Sequence, residues 1–187
     1  MNLYDFDGTV YRGDSTVDFY KFALKKHPLL IRYLPGQGLG FLLHGLKRID
    51  RTELKEYFFS FLKGVSAEEL VPEFWTSHRD RIFPWYLEQK RSDDLIISAS
   101  PEFLLRPICE ELGAELLASR VDPRTGRFDG PNCKGEEKVR RLRERYGAAH
   151  IQKFYSDSRS DTPLALLAEE AYLVTDGKPE RWDLEKK

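Results

Sequence analysis

The chain has 187 residues, 41% of them hydrophobic, enough for one compact domain or for a core that carries a smaller inserted domain. Its 30 basic and 31 acidic side chains leave a formal charge of -1, which supplies no general pull toward nucleic acid or an anionic membrane, so neither is expected as a partner. Two cysteines without a Cys-x-x-Cys pairing, Cys109 and Cys133, fit a reduced cytoplasmic protein and offer no zinc site.

The first strand is expected at once, over residues 3 to 6, and it ends in acids. Met1-Asn2-Leu3-Tyr4 has neither the basic start nor the apolar run of a secretory signal. From residue 15 to residue 89 no strand pattern occurs. Phe19, Phe22, Leu54, Tyr57, Phe61 and Leu70 recur at helical spacing, which predicts a helical insert between the first and second strands. Within it, residues 29 to 46 are apolar enough to suggest a membrane span. Arg32, Pro35, His44 and four glycines argue against one, and predict two helical pieces joined at Pro35-Gly36-Gln37-Gly38. No strand precedes those glycines, so they are not a dinucleotide fingerprint.

A second strand is predicted over 95 to 97. Ser100-Pro101-Glu102 then reads as a helix start, a serine cap followed by proline and an acid, with the helix running to Leu112 and stopping at Gly113. Residues 115 to 118 are a further strand candidate, and 121 to 130 a hairpin-like excursion around Pro123-Arg124-Thr125-Gly126. A helix is expected from Glu136 to Tyr146, ending at Gly147, then strands over 151 to 155 and 171 to 174. Residues 180 to 187 should fray unless Trp182 pins them. Strands alternating with helices imply an α/β fold: a Rossmann-like three-layer core with a mostly parallel sheet, plus an inserted all-helical domain. The division expected is 1 to 14 with 90 to 187 as the core, and 15 to 89 as the insert.

Ligands of a parallel sheet bind beyond the carboxyl ends of its strands. There the sequence sets Asp5 and Asp7, Ser98, Lys134 and Lys138, and Asp157 and Asp161. Each has an ordinary structural explanation. Asp7-Gly8 makes a turn, Ser98 or Ser100 a helix cap, Asp161 a cap before Thr162-Pro163, and the lysines a solvated surface. Their order along the chain is what carries meaning.

Asp5-Phe6-Asp7-Gly8-Thr9-Val10, Ile96-Ile97-Ser98, Gly135-Glu136-Glu137-Lys138-Val139 and Ser156-Asp157-Ser158-Arg159-Ser160-Asp161 resemble the four motifs of the haloacid dehalogenase-like hydrolase superfamily, over nearly the whole chain. The insert after the first motif is similar to the helical cap of the phosphoserine-phosphatase-like branch. The resemblance implies a magnesium-dependent phosphatase acting on a small phosphorylated metabolite. Asp5 would be nucleophile and metal ligand, Asp7 general acid and base as well as a metal ligand through its carbonyl, and Asp157 a further metal ligand. Ser98 and a lysine would hold the phosphate; Lys138 is favoured and Lys134 kept. Asp161 would orient that lysine or a metal-bound water. Ser160 departs from the asparagine of many relatives.

The chemistry suits these residue types. A phosphate dianion repels an anionic nucleophile, so charge must be neutralised first, and magnesium takes oxygen ligands while keeping waters. A receiver-type signalling domain would carry its aspartate on the third strand. A dehalogenase proper has no need of Asp7, and a non-catalytic phosphate-binding member should have lost Asp5. A phosphotransferase or mutase would keep the same acids. In phosphoserine phosphatases an acid after the first motif and a cap arginine grip the amino acid. Asp14 stands near the first; Phe58 falls near the second, with Arg48 and Arg51 as substitutes. The aromatics around Phe58 also fit a buried cap core. Nothing in the sequence sets an oligomeric state.

Overall fold

The computed structural model describes residues 1 to 184. Six strands form one sheet: β1 (Asn2–Tyr4), β2 (Leu95–Pro101), β3 (Glu115–Ser119), β4 (Ile151–Ser156), β5 (Ala168–Thr175) and β6 (Lys178–Arg181). Their order is β3-β2-β1-β4-β5-β6, all neighbours parallel except β5 and β6. The chain builds β2 and β3 on one side of β1, then crosses to build β4 and β5 on the other. The β1–β4 boundary is therefore a topological switch point, where a crevice opens at the strands' carboxyl ends.

Successive strand residues point to opposite faces, and the core divides accordingly. Tyr4, Ile96 and Tyr155 face one apolar cluster, while Leu3, Leu95 and Phe154 face the other. Between β1 and β2 lie α1 (Ser15–Lys26), α2 (Leu34–Gly45), α3 (Arg51–Phe59), α4 (Ala67–His78) and α5 (Pro84–Gln89). Phe19, Phe74 and Trp75 from these helices, and Phe61 from the 3-10 turn Ser60–Gly64, belong to the same cluster as Tyr4 and Phe6, so apolar packing runs unbroken from the helices onto the sheet. Trp75 fixes the junction: its indole N–H donates to the carbonyl of Leu104, 2.6 Å away. After β2 come α6 (Glu102–Leu112), α7 (Glu136–Tyr146) and α8 (Thr162–Ala165).

Local chemistry explains the helix ends. Asp14 accepts from the Val17 amide and caps α1; Asp50 and Glu53 form a reciprocal capping box on α3. Gly113 closes α6 in the left-handed region at φ 72°. The 121 to 130 excursion is held by an antiparallel bridge between Val121 and Phe128.

Two expectations change. Pro35-Gly36-Gln37-Gly38 does not join two helices but lies within α2. Proline fits the first turn, where no amide partner is lost, and the break comes earlier, after a short 3-10 helix at Pro28–Tyr33. Gly40 of α2 meets Tyr57 of α3 so closely that a Cβ would collide with it. Ser100 does not cap α6: β2 continues to Pro101, and the first turn of α6 receives no side-chain cap. Glu180 and Arg181, expected to fray unless Trp182 pins them, are paired, because Asp176 and Gly177, at φ 51° and 74°, turn β5 into β6. Trp182 is buried and its amide donates to Ala171 O at 2.8 Å; residues 185 to 187 of the expected frayed end lie outside the described residues.

Candidate active site

Asp5 follows β1 directly, and its amide continues the ladder to Tyr155 O on β4 at 2.8 Å. The chain then folds tightly, with the amides of Val10 and Tyr11 both reaching Phe6 O at 2.8 Å. Gly8 makes that turn possible. At φ 70° it sits in the left-handed region, and a Cβ there would strike the Asp157 carboxylate. The Asp157 amide in turn donates to Thr9 Oγ1 at 2.9 Å, which ties the loop after β4 to the loop after β1.

Lys138, in the first turn of α7, is only 2% exposed. Its Nζ donates to Asp5 Oδ1 at 2.8 Å and to Asp161 Oδ2 at 2.6 Å. Ser156 Oγ donates to the same Asp161 oxygen at 2.9 Å. Burial opposes the charge on Lys138, but the two carboxylates outweigh it and its pKa is raised. Lys134 lines the same cavity, yet Lys138 is the lysine that reaches Asp5. Asp161, which has an alternative as a helix cap, spends its carboxylate on Lys138 instead and makes no side-chain cap on α8.

The remaining acids are strained electrostatically. Burial raises the pKa of Asp5, against the pull of Lys138. Asp157 is pushed up to about 6 by burial and then by the charge of Asp5. Burial, then Asp14, pushes Asp7 to about 7. The Asp7 carboxylate accepts from the Ser15 amide at 2.7 Å and from the Ser100 hydroxyl, so both of its oxygens are oriented. Ser98 is buried at the cavity wall, its Oγ accepting from the Ser100 amide at 3.1 Å.

These groups share one cavity of about 580 Å³. Asp14, Arg51 and Phe58 line it as well; Arg48 is exposed beyond α2 and does not. Two of the polar lining residues that escaped the sequence reading are Lys55 and Asn132. Lys55 of α3 donates from Nζ to Ala99 O at 2.9 Å and to Asn132 Oδ1 at 2.8 Å, bridging the helices to the sheet. Burial lowers its pKa to about 8, against the pull of Asp14 and Asp7. A signal for Lys55 existed: Arg51, Leu54, Lys55 and Phe58 stand at i, i+3, i+4 and i+7, the spacing of one helix face, and all four line the cavity. Asn132 sits in an irregular loop and has no such signal.

Comparison with known proteins agrees with this layout. The family model described as haloacid dehalogenase-like hydrolase matches residues 3 to 166. Protein CicA of Caulobacter vibrioides is 31% identical over 205 residues, covering 94% of this chain and 86% of the relative. A histidinol-phosphatase of Neisseria meningitidis serogroup C is 28% identical, covering 93% of this chain and 89% of its own. The crystal structure of a Bordetella pertussis protein of unknown function has the same fold, with a TM-score of 0.76 at 21% identity over 92% of this chain and 88% of that one.

Proposed function

The chain belongs to the haloacid dehalogenase-like hydrolases, and on that footing we propose that it is a magnesium-dependent phosphatase that hydrolyses small phosphomonoesters through an aspartyl-phosphate on Asp5. What carries the reading is Lys138, a buried cation bonded to both Asp5 and Asp161 at the switch point of the sheet.

The residues fit a magnesium ion. Asp5, Asp157 and Asp161 bring three carboxylates to a pocket where Lys138 bonds two of them, and the charges of Asp5 and Asp157 oppose one another. Asp161 Oδ1 is buried without a partner among the described residues, an acceptor suited to a water. Among the described residues no three His, Cys, Asp or Glu side chains could hold a metal by themselves. Magnesium does not require that, since it is held by one or two carboxylates together with waters and substrate phosphate. Asp5, Asp157 and the backbone carbonyl of Asp7 would hold it. When bound, it offsets the negative charge of phosphate and of the developing transition state.

Lys138 holds Oδ1 of Asp5 and lowers the repulsion between the nucleophile and a phosphate dianion. A carboxylate oxygen of Asp5 attacks phosphorus, the Asp5–phosphorus bond forms, and the bond to the ester oxygen breaks. Asp7, oriented by Ser15 and Ser100, gives its proton to the departing alcohol. It then takes a proton from the water that attacks the aspartyl-phosphate, so inorganic phosphate leaves and both aspartates are restored. Ser98 donates to a phosphate oxygen. Residues 15 to 89 serve as a cap on the core of 1 to 14 and 90 to 187, and exclude water.

Opposite the acids the cavity offers Asp14, Arg51, Lys55 and Phe58 to the leaving group. An aromatic at 58 cannot pair with a carboxylate, so phosphoserine is one ester among several, and the name of the Neisseria relative adds histidinol phosphate to them. The test is phosphate release from a panel of phosphomonoesters. Magnesium should support turnover, chelation should stop it, and added magnesium should restore it. Activity that survives exhaustive chelation would contradict the metal's role, and phosphoryl transfer to an alcohol without phosphate release would identify a transferase instead.

A further inference from the structure

Helix α2 is inside out. A helix on a water-soluble surface turns apolar residues inward and polar ones outward. Here the two polar side chains, Gln37 and His44, are the ones with internal partners. Gln37 is buried, accepting from Tyr20 Oη at 2.8 Å and donating to Phe58 O at 2.9 Å; His44 Nδ1 lies 3.1 Å from Ile49 O. The outward face presents Leu34, Leu39, Phe41, Leu42 and, just past the helix, Leu46. Phe41 and Leu42 are each 59% exposed. Leu29 and Ile31 of the preceding turn extend the patch. Isolated exposed leucines need no explanation, but an apolar face of this extent marks a surface that meets something.

Charge says what it meets. No Asp or Glu occurs from residue 19 to residue 49, in a chain whose other residues carry more acids than bases. The same stretch carries Lys21, Lys25, Lys26, Arg32, Lys47 and Arg48. Lys21 pairs with Asp18 and Lys26 with Glu73. Lys25, Lys47 and Arg48 are exposed and make no ion pair among the described residues. A second copy packed face to face would oppose one basic rim to another. An anionic bilayer uses both features, taking the leucines into its interface and the cations against its headgroups. No helix of the described residues is long and apolar enough to cross a membrane, so the contact is a surface one.

We propose that the outer face of α2, with the turn before it, docks the protein on an anionic lipid surface. Phe41 and His44 also line the candidate cavity, so docking brings its rim to that surface. The expectation that no membrane is involved rested on net charge, which averages away a local basic segment. This proposal goes beyond the hydrolytic reading and does not depend on it.

The test is co-sedimentation of the full chain with vesicles of phosphatidylcholine, with and without about a third phosphatidylglycerol, at low and high salt. Binding should require phosphatidylglycerol and weaken with salt. Leu39→Ser with Leu42→Ser should abolish it while leaving the thermal midpoint unchanged, since both side chains face outward. Lys25→Glu with Lys47→Glu should weaken it roughly twentyfold or more at low salt. The proposal is overturned if the unmodified chain stays in the supernatant at low salt, or binds neutral vesicles equally well. It is also overturned if the chain dimerises and the double serine variant is monomeric, because α2 is then a contact between copies.

Discussion

Lys138 and Asp7 show how burial sets roles at the scale of single residues. A buried ammonium costs several kcal/mol in lost hydration, and is retained where carboxylates return that energy. Lys138 has two such partners, so it stays charged, and its charge opposes the rise that burial imposes on the pKa of Asp5. Among the described residues Asp7 bonds no lysine; its partners are an amide and a hydroxyl. In the proposed mechanism that difference separates the nucleophile from the proton donor. Asp7→Asn should therefore cost about a hundredfold or more with an alkyl phosphate, whose alkoxide must leave protonated. A nitrophenyl ester, which leaves as a stable phenolate, should lose much less in single-turnover measurements of the first step. Equal losses would reduce Asp7 to a positioning residue. The placement of Asp5 and Asp157 directly after strands, with Asp7 two residues beyond Asp5, was legible because strand end and acid coincide in a few adjacent residues. Ser100 was misread because Ser-Pro-Glu is a sound local signal for a helix start. The sheet overrode it by extending β2 to Pro101, and its hydroxyl went to Asp7 instead.

Helix α7 delivers Lys138 and shows what holds such an element in register. Its first turn carries Glu136 and Glu137 and its last turn Arg143 and Arg145, the arrangement that complements the helix dipole. Glu137 accepts from Arg140 and from Arg141, and Arg141 also donates to the carbonyl of Pro131 at 2.6 Å, fastening the helix to the loop before it. The bonds from Arg140, then Arg141, pull the Glu137 pKa from 4.5 to about 2. A carboxylate depressed in the folded state adds stability above its unfolded pKa, and loses it as pH falls through the folded one. Glu137→Gln should thus cost about 1 to 2 kcal/mol near neutral pH. The gap between the two proteins' thermal midpoints should close between about pH 4.5 and about pH 2. A gap independent of pH would mean that the glutamate's charge is idle. The ends of α6 and α7 were legible because glycine and charge placement are local. The opening of α2 was not: Pro35-Gly36-Gln37-Gly38 reads locally as a break, but Pro35 fits the first turn and Gln37 is held by Tyr20 and the carbonyl of Phe58, contacts distant along the chain. The final hairpin carried a readable Asp-Gly turn that hydrophobic patterning alone passed over.

Across the whole molecule, the parallel sheet and the run of helices after β1 could be read from alternation and periodicity, but not how the two parts meet. They meet through a shared apolar cluster and through Lys55, whose partners lie at residues 99 and 132, far from it along the chain. Contacts of such separation leave no periodic trace. Lys55→Met keeps the apolar stem and removes the donor. It should cost about 1 to 3 kcal/mol by leaving polar acceptors short of a charged partner. Amide exchange in α2 and α3 should quicken while that in β1 and β2 stays slow, and unchanged exchange in α3 would show that Lys55 does not fasten the helices to the sheet. A nearly balanced total charge also conceals the acid-free stretch around α2.

The account turns on Asp5 carrying the phosphoryl group. Acid quenching during turnover of a phosphomonoester, followed by mass analysis of peptides from the intact chain, measures this directly. One phosphoryl adduct should appear on the peptide containing Asp5, hydroxylamine should remove it, and Asp5→Asn should abolish both adduct and turnover while leaving the protein folded. Steady hydrolysis by the unmodified enzyme with the adduct on another residue, or by the folded Asp5→Asn variant, would contradict the account.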